Sequence, residues 1–70
     1  MNTEWVEYYE YLEMLRRSGV TNMYGATPYL VAEFDISEKL AGDILVNWMK
    51  NYSEIEKYLE DNNLIEKRGD

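Results

Sequence analysis

Seventy residues make one small domain, residues 1–70, with no room for a second. The sequence has no Cys and no His. That excludes disulfides, thiolate and imidazole metal sites, and every catalytic arrangement that needs a histidine. Fourteen acidic against seven basic side chains give a net charge of -7, which opposes nucleic acid and anionic membranes, favours basic protein surfaces and also serves solubility.

The first element in chain order is a helix over 3–17. Trp5, Tyr8, Tyr9, Leu12 and Leu15 recur at helical spacing, with Tyr11 beside the stripe. Asn2 or Thr3 can cap its start. Glu4 and Glu7 suit the positive end of the helix dipole, and Arg16 and Arg17 the negative end. Gly19 is placed as a left-handed terminator, with Val20 expected to pack back on Leu15 in a Schellman motif. Residues 19–26 read as a loop with tight turns, including one helical turn near Asn22 and Tyr24. Met23 and Tyr24 are expected to anchor that loop in the core.

Thr27-Pro28 reads as a capping hydroxyl followed by a first-turn proline, opening a short helix over 28–34 with Tyr29, Leu30, Val31 and Phe34 inward. Ser37 then caps a third helix over 37–51, whose apolar face holds Leu40, Ala41, Ile44, Leu45, Trp48 and Tyr52. Gly42 lowers its propensity by about 1 kcal/mol relative to Ala, and is either a place of close approach or a harmless exposed glycine. Ser53-Glu54-Ile55-Glu56 matches a capping box and marks either a new helix over 54–61 or a bend in the third helix after Tyr52, with Ile55, Tyr58 and Leu59 inward. Asn62 and Asn63 can stop it, and Leu64-Ile65 are expected to return to the core. The fold class is all-α: a compact bundle of three to four helices. No run approaches the roughly 18 apolar residues of a membrane span. No basic segment leads into an apolar one at the start, so a cytoplasmic protein is expected.

Thr27 to Ile44 fits a helix-turn-helix-like (HTH-like) pair. Val31 lies four places before the turn residue Asp35, and Ala41 six after it. Asp substitutes there for the usual glycine, because the turn needs a positive φ. The second helix of such a pair normally offers Arg, Lys, Asn or Gln to bases. Here it opens with Glu38, with Asp43 on its outer side and only Lys39, Lys50 and Lys57 as candidate phosphate partners. Direct nucleic-acid binding is therefore not expected, and two helices with a turn are in any case an ordinary way to build a small domain. The stretch Leu64-Ile65-Glu66-Lys67-Arg68-Gly69-Asp70 resembles the start of a wing in winged-helix proteins, although a frayed end fits it better.

Glu4, Glu7, Glu10 and Glu13, three apart, are expected to cross the solvent face of the first helix, and Glu33, Asp35, Glu38 and Asp43 to gather at the turn. A solvated face supplies neither the pocket nor the perturbed pKa that carboxylate catalysis needs. The dense Asp/Asn/Gly loop of a Ca²⁺ site is missing too. The candidate partner-binding residues are Glu10, Tyr11, Glu13, Glu33, Asp35, Glu38 and Asp43. Seven tyrosines and two tryptophans add amphipathic area suited to interfaces. Trp5, Tyr9, Tyr29 and Trp48 are expected in the core, and Tyr11 at the surface. No catalytic residue, cofactor or metal site is expected, and no enzyme.

The run Ser18-Gly19-Val20-Thr21-Asn22-Met23-Tyr24-Gly25-Ala26-Thr27-Pro28-Tyr29-Leu30, with Phe34, Ile36-Ser37, Ala41 and Trp48-Met49, resembles small helical proteins encoded by bacteriophages and prophages. The resemblance brings no catalytic residues. It implies an accessory protein of a mobile element in a bacterial cytoplasm. With the acidic balance, the expectation is a non-enzymatic protein that engages a host protein with a basic surface and inhibits a nucleic-acid-binding factor by charge competition. Small anti-CRISPR inhibitors are the nearest analogue by class. The alternatives are an HTH-type DNA-associated regulator and a self-associating structural accessory, with a homodimer conceivable in either case.

Overall fold

The N-terminal entry is set by Asn2. Its Oδ1 accepts the Glu4 N–H at 2.9 Å and its carbonyl accepts the Trp5 N–H at 3.0 Å, so the chain makes a 3₁₀ turn, Thr3–Trp5, before the first α-helix. The computed structural model describes residues 2–66. Four α-helices follow in order: α1 Val6–Ser18, α2 Thr27–Phe34, α3 Glu38–Lys50 and α4 Tyr52–Asp61. No strand occurs among the described residues, and the stretch 64–70, wing-like in sequence but read as a frayed end, lies largely outside them. No helix of the described residues is long and apolar enough to cross a membrane.

α1 buries Tyr9, Leu12 and Leu15 and ends at Gly19, whose φ of 73° is open to glycine. The Gly19 N–H reaches the carbonyls of Leu15 and Arg16, at 3.2 and 3.3 Å. The Schellman motif expected here does not form. Ser18 Oγ takes the Val20 N–H instead, at 3.3 Å, and Val20 stays exposed. The loop then makes a second 3₁₀ turn, Met23–Gly25. Such a turn rotates successive side chains by a third of a revolution. The buried position falls on Ala26, and Tyr24 points outward at 80% exposure rather than anchoring the loop. The Met23 side chain lies outside the described set. Gly25 is fixed by space, since a Cβ there would lie 2.6 Å from Thr21 Oγ1.

Thr27 is the first residue of α2 rather than its cap, and Ala26 stands at the cap position without a side-chain bond. Leu30 is fully buried, while Tyr29 is 37% exposed and not the core aromatic expected; Trp5 is half-buried and packs against the edge of the core. α2 stops at Asp35, which adopts the left-handed conformation (φ 54°, ψ 45°) and bonds its N–H to the Val31 carbonyl at 2.9 Å. Ser37 Oγ caps α3 by accepting the Leu40 N–H at 3.1 Å. α3 buries Ala41, Ile44, Leu45 and Trp48. A Cβ at Gly42 would meet nothing within 4 Å, so no helix approaches there.

Of the two starts the sequence allows for α4, the bend is the one formed, since Asn51 is at once the last cap of α3 and the first of α4. Asn51 closes α3 through its N–H to the Asn47 carbonyl and opens α4 through its carbonyl to the Ile55 N–H. Ser53 makes no capping box, because α4 starts at Tyr52 with Asn51 at the cap and Ser53 lies inside the helix; Glu56 turns instead to Tyr52 and Arg16. A Schellman motif does close α4. Asn63 is left-handed (φ 59°), with Asn63 N–H on the Glu60 carbonyl and Leu64 N–H on the Leu59 carbonyl. Leu64 remains 39% exposed, and Ile65 alone of the pair packs on the core.

The core joins all four helices through Tyr9, Leu12, Leu30, Ile44, Trp48, Ile55 and Leu59. Phe34 meets Tyr8 and Tyr11 edge-on at 4.8 and 5.4 Å, fastening α2 to α1. The Tyr9 hydroxyl accepts from Asn2 N–H at 3.1 Å and donates to Asn47 Oδ1, tying the N-terminal turn and α1 to α3. The left-handed turn at position 35 admits Gly freely but strains a β-branched residue. Asp35→Val is expected to lower stability by about 1–2 kcal/mol and Asp35→Gly to hold or raise it, measured by urea unfolding of the two variants.

Candidate functional site

Glu13 departs furthest from expectation. It belongs to the row at 4, 7, 10 and 13, yet its side chain is completely buried. It lies four residues after Tyr9, on the apolar stripe of α1 rather than the solvent face. Its Oε1 accepts from Arg16 Nη2 at 2.8 Å and from Arg17 Nε at 2.9 Å. Arg16 also donates to Glu56 Oε2 at 3.2 Å and stacks over the Tyr52 ring, 5.0 Å from its centroid. Arg17 pairs with Glu60 at 3.5 Å and donates to the Glu66 carbonyl at 2.6 Å. The Tyr52 hydroxyl donates to Glu56 at 2.9 Å. Three carboxylates, two guanidiniums and one phenol thus join the end of α1 to α4 and to the chain beyond it.

The network sets its own ionisation. Burial pushes the Glu13 carboxyl upward, but hydrogen bonds from Arg16 and Arg17 and the charge of Arg16 outweigh it and hold the group below its ordinary value. The hydrogen bond to Glu13 raises Arg16 against its desolvation. Burial first, then the bond to Glu56, pushes Tyr52 up to about 12. Glu13 is therefore a fixed anion that organises arginines, and it cannot serve as an exposed contact for a partner.

The other candidates divide between two faces. Glu10 and Tyr11 lie together on α1, both half-buried, beside an open groove of about 780 Å³ between α1 and the segment after α4. Glu7 and Met14 continue the α1 wall, and Leu64 and Ile65 form the opposite one. Tyr11 is half-buried against Phe34, so it is less open than expected. Burial, then the charge of Glu33, then Tyr29, raises the Tyr11 hydroxyl. Glu10 and Tyr11 thus line the groove together, and Glu33 is exposed on α2, near enough for its charge to act on Tyr11.

Asp35, Glu38 and Asp43 are exposed around the turn and along α3. Asp43 pairs with Lys39 at 3.4 Å, a contact open to solvent and of small energetic weight. Among the described residues no group of three or more acidic side chains is arranged to hold a metal ion. Comparisons with protein-family models, with curated proteins and with solved structures gave no match.

The groove and the network were both hidden in the sequence. The signal for the network was present, since Glu13 precedes two arginines by three and four residues and shares a stripe with Tyr9. Two outcomes test its energetics. Glu13→Gln leaves two guanidiniums facing a neutral group and is expected to cost about 2–4 kcal/mol at neutral pH. Because the folded Glu13 carboxyl titrates below the unfolded one, its stabilisation is complete above about pH 4.3 and is lost as pH falls towards and through the folded value. The gap between wild type and variant in urea unfolding should therefore close in acid.

For Tyr52 the folded value lies above the unfolded one, so its contribution is complete below about pH 10 and is lost as pH rises further. Absorbance titration should show one tyrosine ionising near 12, and Glu56→Gln should move that step towards the ordinary value of about 10.

Proposed function

We propose that this protein is a non-enzymatic binding module that engages a protein with a basic surface and competes there with nucleic acid. The observation that carries this reading is the inward commitment of Arg16 and Arg17. Both are held by Glu13, Glu56 and Glu60, while Glu7, Glu10 and Glu33 stay around Tyr11 on the outer face of α1 and α2. Carboxylates so placed imitate phosphates towards an Arg- or Lys-lined surface, and Tyr11, Tyr29 and Met14 supply contact area beside them. Glu38, Asp35 and Asp43 extend the anionic surface around the turn. The likeness of residues 18–30 to phage and prophage proteins fits an inhibitor acting on a host factor in the bacterial cytoplasm.

The left-handed Asp35 favours a second reading, a DNA-associated regulator whose α2 and α3 form an HTH-like pair. Its outward row on α3 is Lys39, Asp43, Val46 and Lys50, with Lys39 engaged by Asp43. Two lysines and no arginine supply little phosphate neutralisation and no bidentate base contact.

The test is capture from bacterial lysate with the wild type and with a Glu10→Lys/Glu33→Lys variant, at low and at physiological salt. A basic nucleic-acid-binding protein is expected on the wild type, weakened by salt, displaced by added DNA and lost with the variant. A captured partner indifferent to all three rejects charge competition. Tight gel-shift of DNA by the protein alone supports the regulator.

A further inference from the structure

The open groove is more than a charged surface, because its floor and walls differ in chemistry. α1 presents a second stripe to it, formed by Glu7, Glu10, Tyr11 and Met14, separate from the Tyr9, Leu12 and Leu15 stripe that enters the core. Positions 7, 10, 11 and 14 follow helical spacing, so the two acids stand one turn apart above an aromatic and a thioether side chain. The facing wall carries Leu64 and Ile65, with Glu66 at the rim. Met14 is 58% exposed and Leu64 39% exposed, so apolar area lies open on both sides. The volume, about 780 Å³, falls within the range of formed binding sites, about 300–1,000 Å³.

The groove is also held open in advance. The wall beyond α4 is turned back by the left-handed Asn63 and the Leu64 N–H to Leu59 carbonyl bond of 2.9 Å. Arg17 then grips the Glu66 carbonyl from α1 at 2.6 Å. The sole cation lining the groove among the described residues is Arg17, and it is already engaged by Glu13, Glu60 and Glu66. An occupant therefore meets apolar side chains in the middle and carboxylates along one edge.

We propose that this groove receives a cationic amphipathic helix of the partner protein. The assignment rests on the binding reading above and names the form its partner takes. The occupant lies alongside α1, sets leucine-like side chains between Met14 and Leu64, and places Lys or Arg one turn apart against Glu7 and Glu10. Charge complementarity selects a cationic helix over an acidic or purely apolar one, and the apolar side chains of the two walls, Met14, Leu64 and Ile65, select an amphipathic helix over a polycation.

The probes are a designed amphipathic helix of leucine and lysine, a sequence-scrambled peptide of the same composition, and polylysine. Binding is followed by calorimetry and by methyl NMR of labelled methionine. The amphipathic helix is expected to bind, to shift the Met14 methyl signal, and to bind at least about tenfold tighter than either control, the scale of one well-seated apolar anchor. Met14→Glu should weaken binding by about tenfold or more while leaving the thermal midpoint unchanged, since Met14 is exposed.

Equal binding of all three peptides, unaffected by Met14→Glu, overturns the groove assignment and leaves the charge-based reading standing. No binding by any of them, with capture of a basic protein from lysate intact, overturns the groove assignment alone. No binding together with no salt-sensitive capture rejects both. A concentration-dependent dimer that Met14→Glu dissolves gives the groove to a second copy of this chain and likewise overturns the proposal.

Discussion

The structure depends on one buried carboxylate. A small all-α domain must hold its last helix against its first, and here an anion does part of that work. Glu13 sits where the apolar stripe of α1 would otherwise continue, and its charge is matched by two arginines from the next turn. Those arginines reach across to Glu56 and Glu60, so the contact between α1 and α4 has a fixed register as well as an apolar interface. Removing one member of such a set leaves charges without their counterparts, whereas the intact set gains little over a well-packed apolar core. Its contribution is to arrangement: the pairs from Arg16 and Arg17 to Glu56 and Glu60 favour this alignment of α4 on α1.

The same network shapes the exterior. By drawing Arg16 and Arg17 inward, it separates the charges of a chain whose composition is merely acidic into a neutralised seam and an anionic outer face. Arg17 belongs to both, because its guanidinium fills the seam and also fastens the backbone at Glu66. The outer wall of the groove is therefore mechanically connected to the core ion cluster, and the position of Leu64 and Ile65 follows from bonds made on α1.

Much of the fold was legible because local chemistry and tertiary packing agreed. Ser37 capped α3 as its hydroxyl and position implied, and Asp35 took the positive φ that the turn required. Tyr9, Leu12 and Trp48 entered the core as their spacing indicated. The misreadings arose where two local solutions competed. Ser18 Oγ took the Val20 N–H, which a Schellman motif would have sent to a carbonyl. The helix began at Tyr52, one residue before the capping box centred on Ser53 would have started it, and Glu56 bonded to Arg16 and Tyr52. At Glu13 the charge suggests the surface while the angular position, four residues after Tyr9, points to the core, and the two arginines that follow let position prevail. Glu10 and Tyr11 lie on one groove wall, but the groove beside them depends on where the chain returns after α4, and no pattern in residues 64–66 announces that.

The hydroxyl of Tyr9 carries a directional consequence. It accepts from a main-chain amide at Asn2, so its own hydrogen is left to point at Asn47 Oδ1. That single orientation fixes which end of the Asn47 amide faces inward, and it leaves the Nδ2 donors on the other side. A one-way relay of donors thus runs from the backbone of Asn2 through Tyr9 to the last turn of α3, and the orientation of a side chain in the third helix follows from the N-terminal turn.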